Sequence, residues 1–312
     1  MISHTSATDR TDDSEGLDVF VRERRRLFGI AYRVLGSAFD AEDVVQETWV
    51  RWHLCDRSSV RDPGAFLATT TTRLAINVLH SAHTRRETYI GPWLPSPVNT
   101  ADDPSLGAER AEALELATLL LMERLTPTER AAYVLREAFS YPYPRIAEIL
   151  RVTEVSARQL VSRARKHVGS GAPHPASRES QRSFFIAFLA AARGGDAEAL
   201  ERLLAEDAVS YTDGGGVVHR TARRPIHGRV TLVRFLMGIS RWFWDDVATE
   251  PIEANGREAA VLKRNGKPFA LLTVTVDGGS VGQILWVMNP AKLAAILPGV
   301  TTTSPFTAVT FD

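Results

Sequence analysis

Asp40, Glu42, Asp43 and Glu47 crowd the start of the run Asp40–Trp52, and no basic residue interrupts them before Arg51. Carboxylates at the beginning of a helix are favoured by its dipole. Val44, Val45, Trp49 and Trp52 recur at helical spacing on the other side. An acidic face steers a basic partner, and a tryptophan beside it supplies apolar contact area. The same composition also suits a plain solvated helix.

A second run carries the opposite chemistry. In Glu154–Val168 the residues Ala157, Leu160, Val161, Ala164 and Val168 mark one apolar face, while Arg158, Gln159, Ser162, Arg163, Arg165 and Lys166 occupy the rest. Arginine pairs bidentately with guanine or phosphate, glutamine pairs with adenine, and lysine neutralises phosphate. A short helical run, Arg145–Leu150, and a turn, Arg151–Thr153, precede it, which predicts a helix-turn-helix. Arg151 stands where glycine is common, so the turn is expected to form without a free left-handed residue. A solvated basic helix has the same pattern.

The elements that position these groups fall into three blocks. Residues 1–16 are polar and expected to be disordered. Residues 17–90 form an all-helical block: Val19–Leu35 stopped by Gly36, Asp40–Trp52, and Gly64–His83, where burial of Phe66, Leu67, Leu74, Ile76 and Leu79 overrides the four threonines Thr69–Thr72. Residues 91–105 are a proline-rich linker containing Trp93, which a free linker does not need. Residues 106–168 are helical again, with Thr126, Pro127 and Glu129 forming a capping box. Residues 169–179 are a second linker. Residues 180–312 begin with helices (Phe184–Arg193, then a short one to Leu204). They continue as strands, with turns at Asp213–Gly216, Asn255-Gly256, Asn265-Gly266 and Asp277–Gly279 and one inserted helix near Arg229–Phe243. This predicts an α+β domain with a meandering antiparallel sheet.

The 312 residues carry 37 basic and 37 acidic side chains, so nucleic-acid binding must come from local patches. The single cysteine, Cys55, excludes an intrachain disulfide and a Cys-rich zinc site, and fits a cytoplasmic location. No cofactor, metal or membrane partner is expected.

Taken together, these features resemble a known family. The Asp40–Trp52 helix, Arg61–Leu67 and Arg73–Asn77 are similar to region two of the bacterial extracytoplasmic-function sigma factors. Leu125–Arg130, Ile146–Leu150 and Arg158–Arg165 resemble region four. The segments Tyr89–Pro95, Asp213–Gly216 and Asn289–Leu293 resemble signatures of the subgroup fused to a C-terminal SnoaL-like domain. That subgroup commonly has Glu, Lys and Asp where Ser96, Val217 and Ala291 stand.

The resemblance implies two all-α sigma domains followed by an α+β SnoaL-like cone. Its partners would be core RNA polymerase and promoter DNA. Asp40, Asp43, Gln46, Glu47 and Trp49 would bind polymerase, with Trp52 in the core. Arg57, Arg61, Arg73, Asn77, His80, Arg85 and Arg86 would meet the −10 element, although Arg85 and Arg86 equally suit a helix C-terminus. Arg158, Gln159, Ser162, Arg163 and Lys166 would enter the −35 major groove.

For the third block three readings stand. Asp213, His219, His227 and Asp245 are polar groups for acid–base chemistry if they converge. Phe235, Trp242, Phe243, Trp244 and Trp286 suit either a small-ligand pocket or a core. The favoured reading is regulatory: Trp93, Leu94 and Pro95 dock near Asp213, Gly214, Gly215 and Gly216 and near Asn289, Pro290, Lys292 and Leu293. The alternative for the whole chain is a DNA-binding regulator fused to a small-molecule-binding or cyclase/isomerase-like domain. The acidic helix separates the two, since a simple repressor has no need of it.

Overall fold

A computed structural model of the chain describes residues 7–87, 89–100, 115–169, 177–219 and 221–297. The linker segments 101–105 and 170–176, and the side chains of Arg85 and Arg86, lie outside that description.

Three helices build the first block: α1 (Ala7–Leu35), α2 (Ala38–Leu54) and α3 (Pro63–Glu87). The tail expected to be disordered is helical from Ala7, and its last residue is docked. Trp52 is buried and its indole N–H donates to the Gly16 carbonyl at 2.8 Å. Gly36, at φ 67°, ends α1, and Ser37 caps α2 by accepting from the Asp40 amide. The threonines of α3 turn inward and bond backward. Thr69, Thr70 and Thr72 donate to the carbonyls of Ala65, Phe66 and Ala68, and the Thr71 hydroxyl meets that of Thr48 on α2 at 3.1 Å. Such bonds satisfy hydroxyls that burial would otherwise leave unpaired.

The second block contains α4 (Leu116–Met122), α5 (Pro127–Glu137), α6 (Tyr143–Leu150) and α7 (Glu154–Gly169). Thr126 and Glu129 close the expected capping box at α5. The turn between α6 and α7 departs from expectation: Arg151 itself adopts the left-handed conformation, φ 56° and ψ 45°. Its amide and that of Val152 then cap the Glu148 and Ala147 carbonyls, which offsets the strain.

The first two blocks share their core. Leu27, Ile30, Val45, Trp52 and Leu67 pack with Leu135, Ile146, Leu160 and Val161 in one cluster.

The third block has α8 (Arg178–Gly194), α9 (Ala197–Leu203), α10 (Arg229–Phe243) and α11 (Pro290–Ile296). Its strands are β1 (Leu204–Asp213), β2 (Ile226–His227), β3 (Val247–Ala254), β4 (Arg257–Arg264), β5 (Lys267–Asp277) and β6 (Ser280–Val287). They form one sheet in the order β2-β1-β6-β5-β4-β3. The expected antiparallel meander holds for β3 to β6, but β1 pairs parallel with β6, so the sheet is mixed. β6 reaches the other edge of β1 only after four intervening strands, a pairing that no turn signal between neighbours could reveal. β3 also escaped the sequence reading, because Glu250, Pro251 and Glu253 dilute its apolar pattern.

One face of the sheet packs on α8, α9 and α10 through Phe188, Leu200, Leu232, Leu236, Leu272 and Ile284. The other carries Ala259, Leu271, Leu285 and Val287 and is covered by Leu94, Leu116, Leu293 and Ile296. Covering both faces explains why β5 is apolar almost throughout rather than alternating. Among the described residues no helix is long and apolar enough to cross a membrane.

Trp52→Ala is expected to cost about 3–5 kcal/mol of stability. Trp49→Ala, at a half-buried site beside Phe20, should cost clearly less. Urea unfolding of the two variants checks the order.

Candidate functional site

The third domain holds the linker through one buried carboxylate. Asp213, at the end of β1, is fully buried. It accepts from the Tyr89 hydroxyl at 2.5 Å, the Leu94 amide at 2.9 Å, the Gly215 amide at 3.0 Å and the Lys292 ammonium at 2.6 Å. Lys292, from α11, also donates to the Leu94 carbonyl and sits 4.1 Å from the centre of the Trp93 ring. Asn289 caps α11 with its side-chain oxygen and donates from its amide nitrogen to the Tyr89 hydroxyl at 2.9 Å. Burial, then the Asp213 charge, pushes the Tyr89 phenol well above its ordinary pKa, so it stays a neutral donor.

The glycines are there for space. A Cβ on Gly215 would lie 2.6 Å from the Asn289 amide nitrogen, and one on Gly214 2.8 Å from the Thr221 hydroxyl. Gly216 approaches Ile90. Leu94 and Leu293 share the apolar cluster on the sheet, and Pro95 is buried beside them. Pro290 opens α11. All eleven expected interdomain residues thus lie in or against this latch. The departures at Val217 and Ala291 fall on exposed positions, and Ser96 takes part through its backbone.

Sequence reading missed a second junction. The Tyr32 hydroxyl of α1 donates to the Ser96 carbonyl at 2.6 Å and accepts from the Asn255 amide nitrogen at 2.7 Å. Asn255 also accepts from the Val98 amide, and the Ser96 amide donates to the Gly36 carbonyl. The linker is therefore pinned between the first block and the β3–β4 turn. Asn255-Gly256 announced only a hairpin, and nothing local marks Tyr32 as an interdomain residue. Glu115, just before α4, pairs with Arg257 on β4 and ties the second block to the same face.

On α2, Asp43, Gln46 and Glu47 are exposed and Asp40 is half-buried. Trp49 packs on Phe20 at 4.9 Å and on His53 at 5.6 Å, so only part of its ring is available. The larger apolar exposure is on residues not singled out from the sequence: Phe39 (72%), Val50 (47%) and Leu54 (77%), which follow Asp43 and Glu47 along one face.

On α3, Asn77 and His80 are exposed, and Arg61 is exposed in the preceding loop. Arg57 instead turns its guanidinium toward Gly16. Arg73 is engaged elsewhere. Its Nε and Nη2 donate to the Ile149 and Glu148 carbonyls at the end of α6, at 2.8 and 3.0 Å. Arg145 on α6 reciprocates, donating to the Ala65 carbonyl and the Thr69 hydroxyl of α3 at 2.9 and 3.1 Å. Burial and the neighbouring Arg151 charge lower the Arg73 pKa. Arg61, Phe66 and Thr69 line an open cleft whose far wall is Arg145 and Glu148.

Arg158, Gln159, Ser162, Arg163 and Lys166 all lie exposed on α7. Arg158 pairs with Glu154 at 2.6 Å over the Tyr143 ring, and Arg163 with Glu129 at 3.0 Å.

Of the candidate acid–base groups, Asp213 is fully buried among the linker contacts, while His219, His227 and Asp245 are exposed. Phe243, Trp244 and Trp286 form a core of edge-on rings; Phe235 and Trp242 line a cavity.

Residues 19–86 match the model for sigma-70 region 2, and residues 115–168 that for sigma-70 region 4. The ECF RNA polymerase sigma factor SigJ of Mycobacterium tuberculosis is 41% identical over 289 residues, 86% of this chain and 90% of that protein. The chain belongs to the extracytoplasmic-function RNA polymerase sigma factors. A probable ECF sigma factor of the same species, SigI, is 28% identical over 277 residues, 86% of this chain and 92% of that one. The crystal structure of M. tuberculosis SigJ matches this sigma factor with a TM-score of 0.72 and 33% identity, covering 90% of this chain and 99% of the other. The sigma factor thus has regions two and four, both helical, followed by a C-terminal domain built on a mixed sheet.

Asp213→Asn leaves the Lys292 ammonium buried without its counter-charge and should cost about 3–5 kcal/mol. Asp213→Asn combined with Lys292→Met should recover much of that loss. Denaturant unfolding of the single and double variants measures both.

Proposed function

We propose that this sigma factor binds core polymerase through the outer face of α2, reads the −10 element with α3 and its preceding loop, reads the −35 element with α7, and is held closed by its third domain. Binding to α2 combines the charges of Asp43 and Glu47 with the exposed apolar groups Phe39, Val50 and Leu54. Asn77, His80 and Arg61 meet the melted strand, with Arg85 and Arg86 assigned to the same contact from the sequence. Exposed bases offer edges and π faces to a small cleft there.

The observation that carries the closed reading is the reciprocal clamp between Arg73 and Arg145. Elements centred near −10 and −35 lie about 25 base pairs apart, roughly 85 Å at about 3.4 Å per base pair. Two reading helices packed against one body cannot span that distance. Promoter binding therefore requires α6 and α7 to leave α3, which frees Arg73 for DNA and uncovers the cleft. The latch opposes that separation by holding Trp93 and Leu94 on the third domain while Tyr32 and Gly36 grip the linker from the other side. Regulation in the same chain replaces a separate inhibitory subunit. The proposed location is the cytoplasm, with the polymerase.

Run-off transcription with core polymerase tests the reading. Specific initiation should depend on this sigma factor; transcription indifferent to its presence overturns the assignment of its polymerase and promoter surfaces. Asp43→Lys with Glu47→Lys should reduce core-polymerase capture at least tenfold while leaving unfolding unchanged. Arg145→Ala and Trp93→Ala should each raise promoter-complex formation several-fold. Unchanged or lower promoter use in both would refute the closed state.

A further inference from the structure

Residues 214–244 of the third domain hold six arginines and two histidines and no acid, in a chain whose 37 basic and 37 acidic side chains balance. The run covers the loop after β1, the short strand β2 and the whole of α10. Arg223 and Arg224 in the loop, and Arg234 and Arg241 on α10, are exposed. None of the four makes a salt bridge or a side-chain hydrogen bond among the described residues. Several exposed arginines elsewhere are paired: Arg158 with Glu154, Arg165 with Glu137 and Arg202 with Glu198. We propose that these four arginines form a further DNA-binding surface, which takes the phosphate backbone of duplex promoter DNA next to the −10 element. The proposal deepens the α3 reading above and rests on it.

Loop and helix present these groups side by side. Ala222, next to Arg223, lines a cavity together with Phe235, Ile239 and Trp242 of α10, so the loop runs alongside that helix. Arg234 and Arg241 each directly precede one of those wall residues, so their stripe borders the loop. The two are seven residues apart, about 10 Å along a helix. Three nucleotides of a DNA strand cover about the same length, at about 3.4 Å each. Between the two arginines stands Gly238, which is exposed, and a Cβ there would meet nothing within 4 Å among the described residues. Glycine weakens a helix interior relative to alanine, and nothing in these surroundings requires it. A bare backbone at that point lets a sugar–phosphate chain come close.

The linker fixes where this face lies. A Cβ on Gly91 would come within 3.8 Å of the Arg223 Cα. Gly91 is four residues past Glu87, the last residue of α3, a reach of at most about 14 Å. The surface therefore begins beside the end of the helix assigned to the −10 element. All four arginines are exposed in the closed molecule, so contact does not require the Arg73–Arg145 clamp to open. Arginine on phosphate adds affinity and position without reading sequence.

Fluorescence anisotropy of the holoenzyme on a promoter fragment, between about 50 and 200 mM salt, tests the surface. Arg234→Gln with Arg241→Gln should weaken binding at least tenfold. It should also make the slope of log affinity against log salt shallower by about two, since each phosphate contact contributes about 0.9. Gly238→Glu, which puts a carboxylate one turn from each arginine, should weaken binding to a similar degree without lowering stability in urea. Arg202→Gln, at an exposed arginine of the same domain held by Glu198, should change neither affinity nor slope. Affinity and slope unchanged in both the double variant and Gly238→Glu, with promoter-specific binding intact, overturn the surface and leave the α3 reading. A holoenzyme with no preference for the promoter over unrelated duplex overturns both. Loss of core-polymerase capture by a folded double variant assigns the face to the polymerase. Loss of binding to phosphatidylglycerol vesicles, with promoter affinity unchanged, assigns it to a membrane surface. Either result overturns the DNA assignment.

Discussion

A buried carboxylate facing a buried ammonium constrains the rest of this molecule. Neither Asp213 nor Lys292 tolerates burial alone. Together they still need further partners, and those partners come from the linker: the Leu94 amide and carbonyl, the Tyr89 hydroxyl and the Trp93 ring. The ion pair is therefore completed only when the linker is in place. That makes the linker part of the third domain's core rather than a tether.

From that anchor the arrangement of the sigma regions follows. Trp93 reaches back to Gly36 at the end of α1, the position where Arg130 of α5 also approaches. Arg130 is itself buried and donates to the Arg33 carbonyl while pairing with Glu123. Regions two and four and the linker thus meet at one point. The Arg73–Arg145 clamp closes the opposite side of the same interface. The exposed face of α2 takes no part in it.

The Asp40–Trp52 and Glu154–Val168 helices were legible from residue types and spacing, because amphipathic periodicity is a local property. The same holds for the capping box at Thr126, the inserted helix Arg229–Phe243 and the hairpins at Asn255 and Asn265. Trp52 as core also followed from its place on the apolar side. Arg151 in the left-handed turn did not, since nothing in its side chain announces that the tertiary packing of α6 on α7 will impose it. Exposure of Phe39, Val50 and Leu54 was equally invisible: apolar residues on a helix read as core until the neighbours that could cover them are known to lie elsewhere.

Sequence by itself determined the helical elements and the order of the blocks, because each depends on spacing along a short segment. It also marked Trp93 as a residue a free linker has no use for. Only the tertiary structure decided how those parts are used. The parallel pairing of β1 with β6 brings Asp213 beside Asn289 and Lys292. Arg73 turns to the carbonyls of another domain instead of standing free, and Tyr32 joins Asn255 across the linker. These are long-range pairings between residues whose neighbours in sequence carry no trace of the partner. Their energy exists only once burial removes the water that would otherwise satisfy both sides.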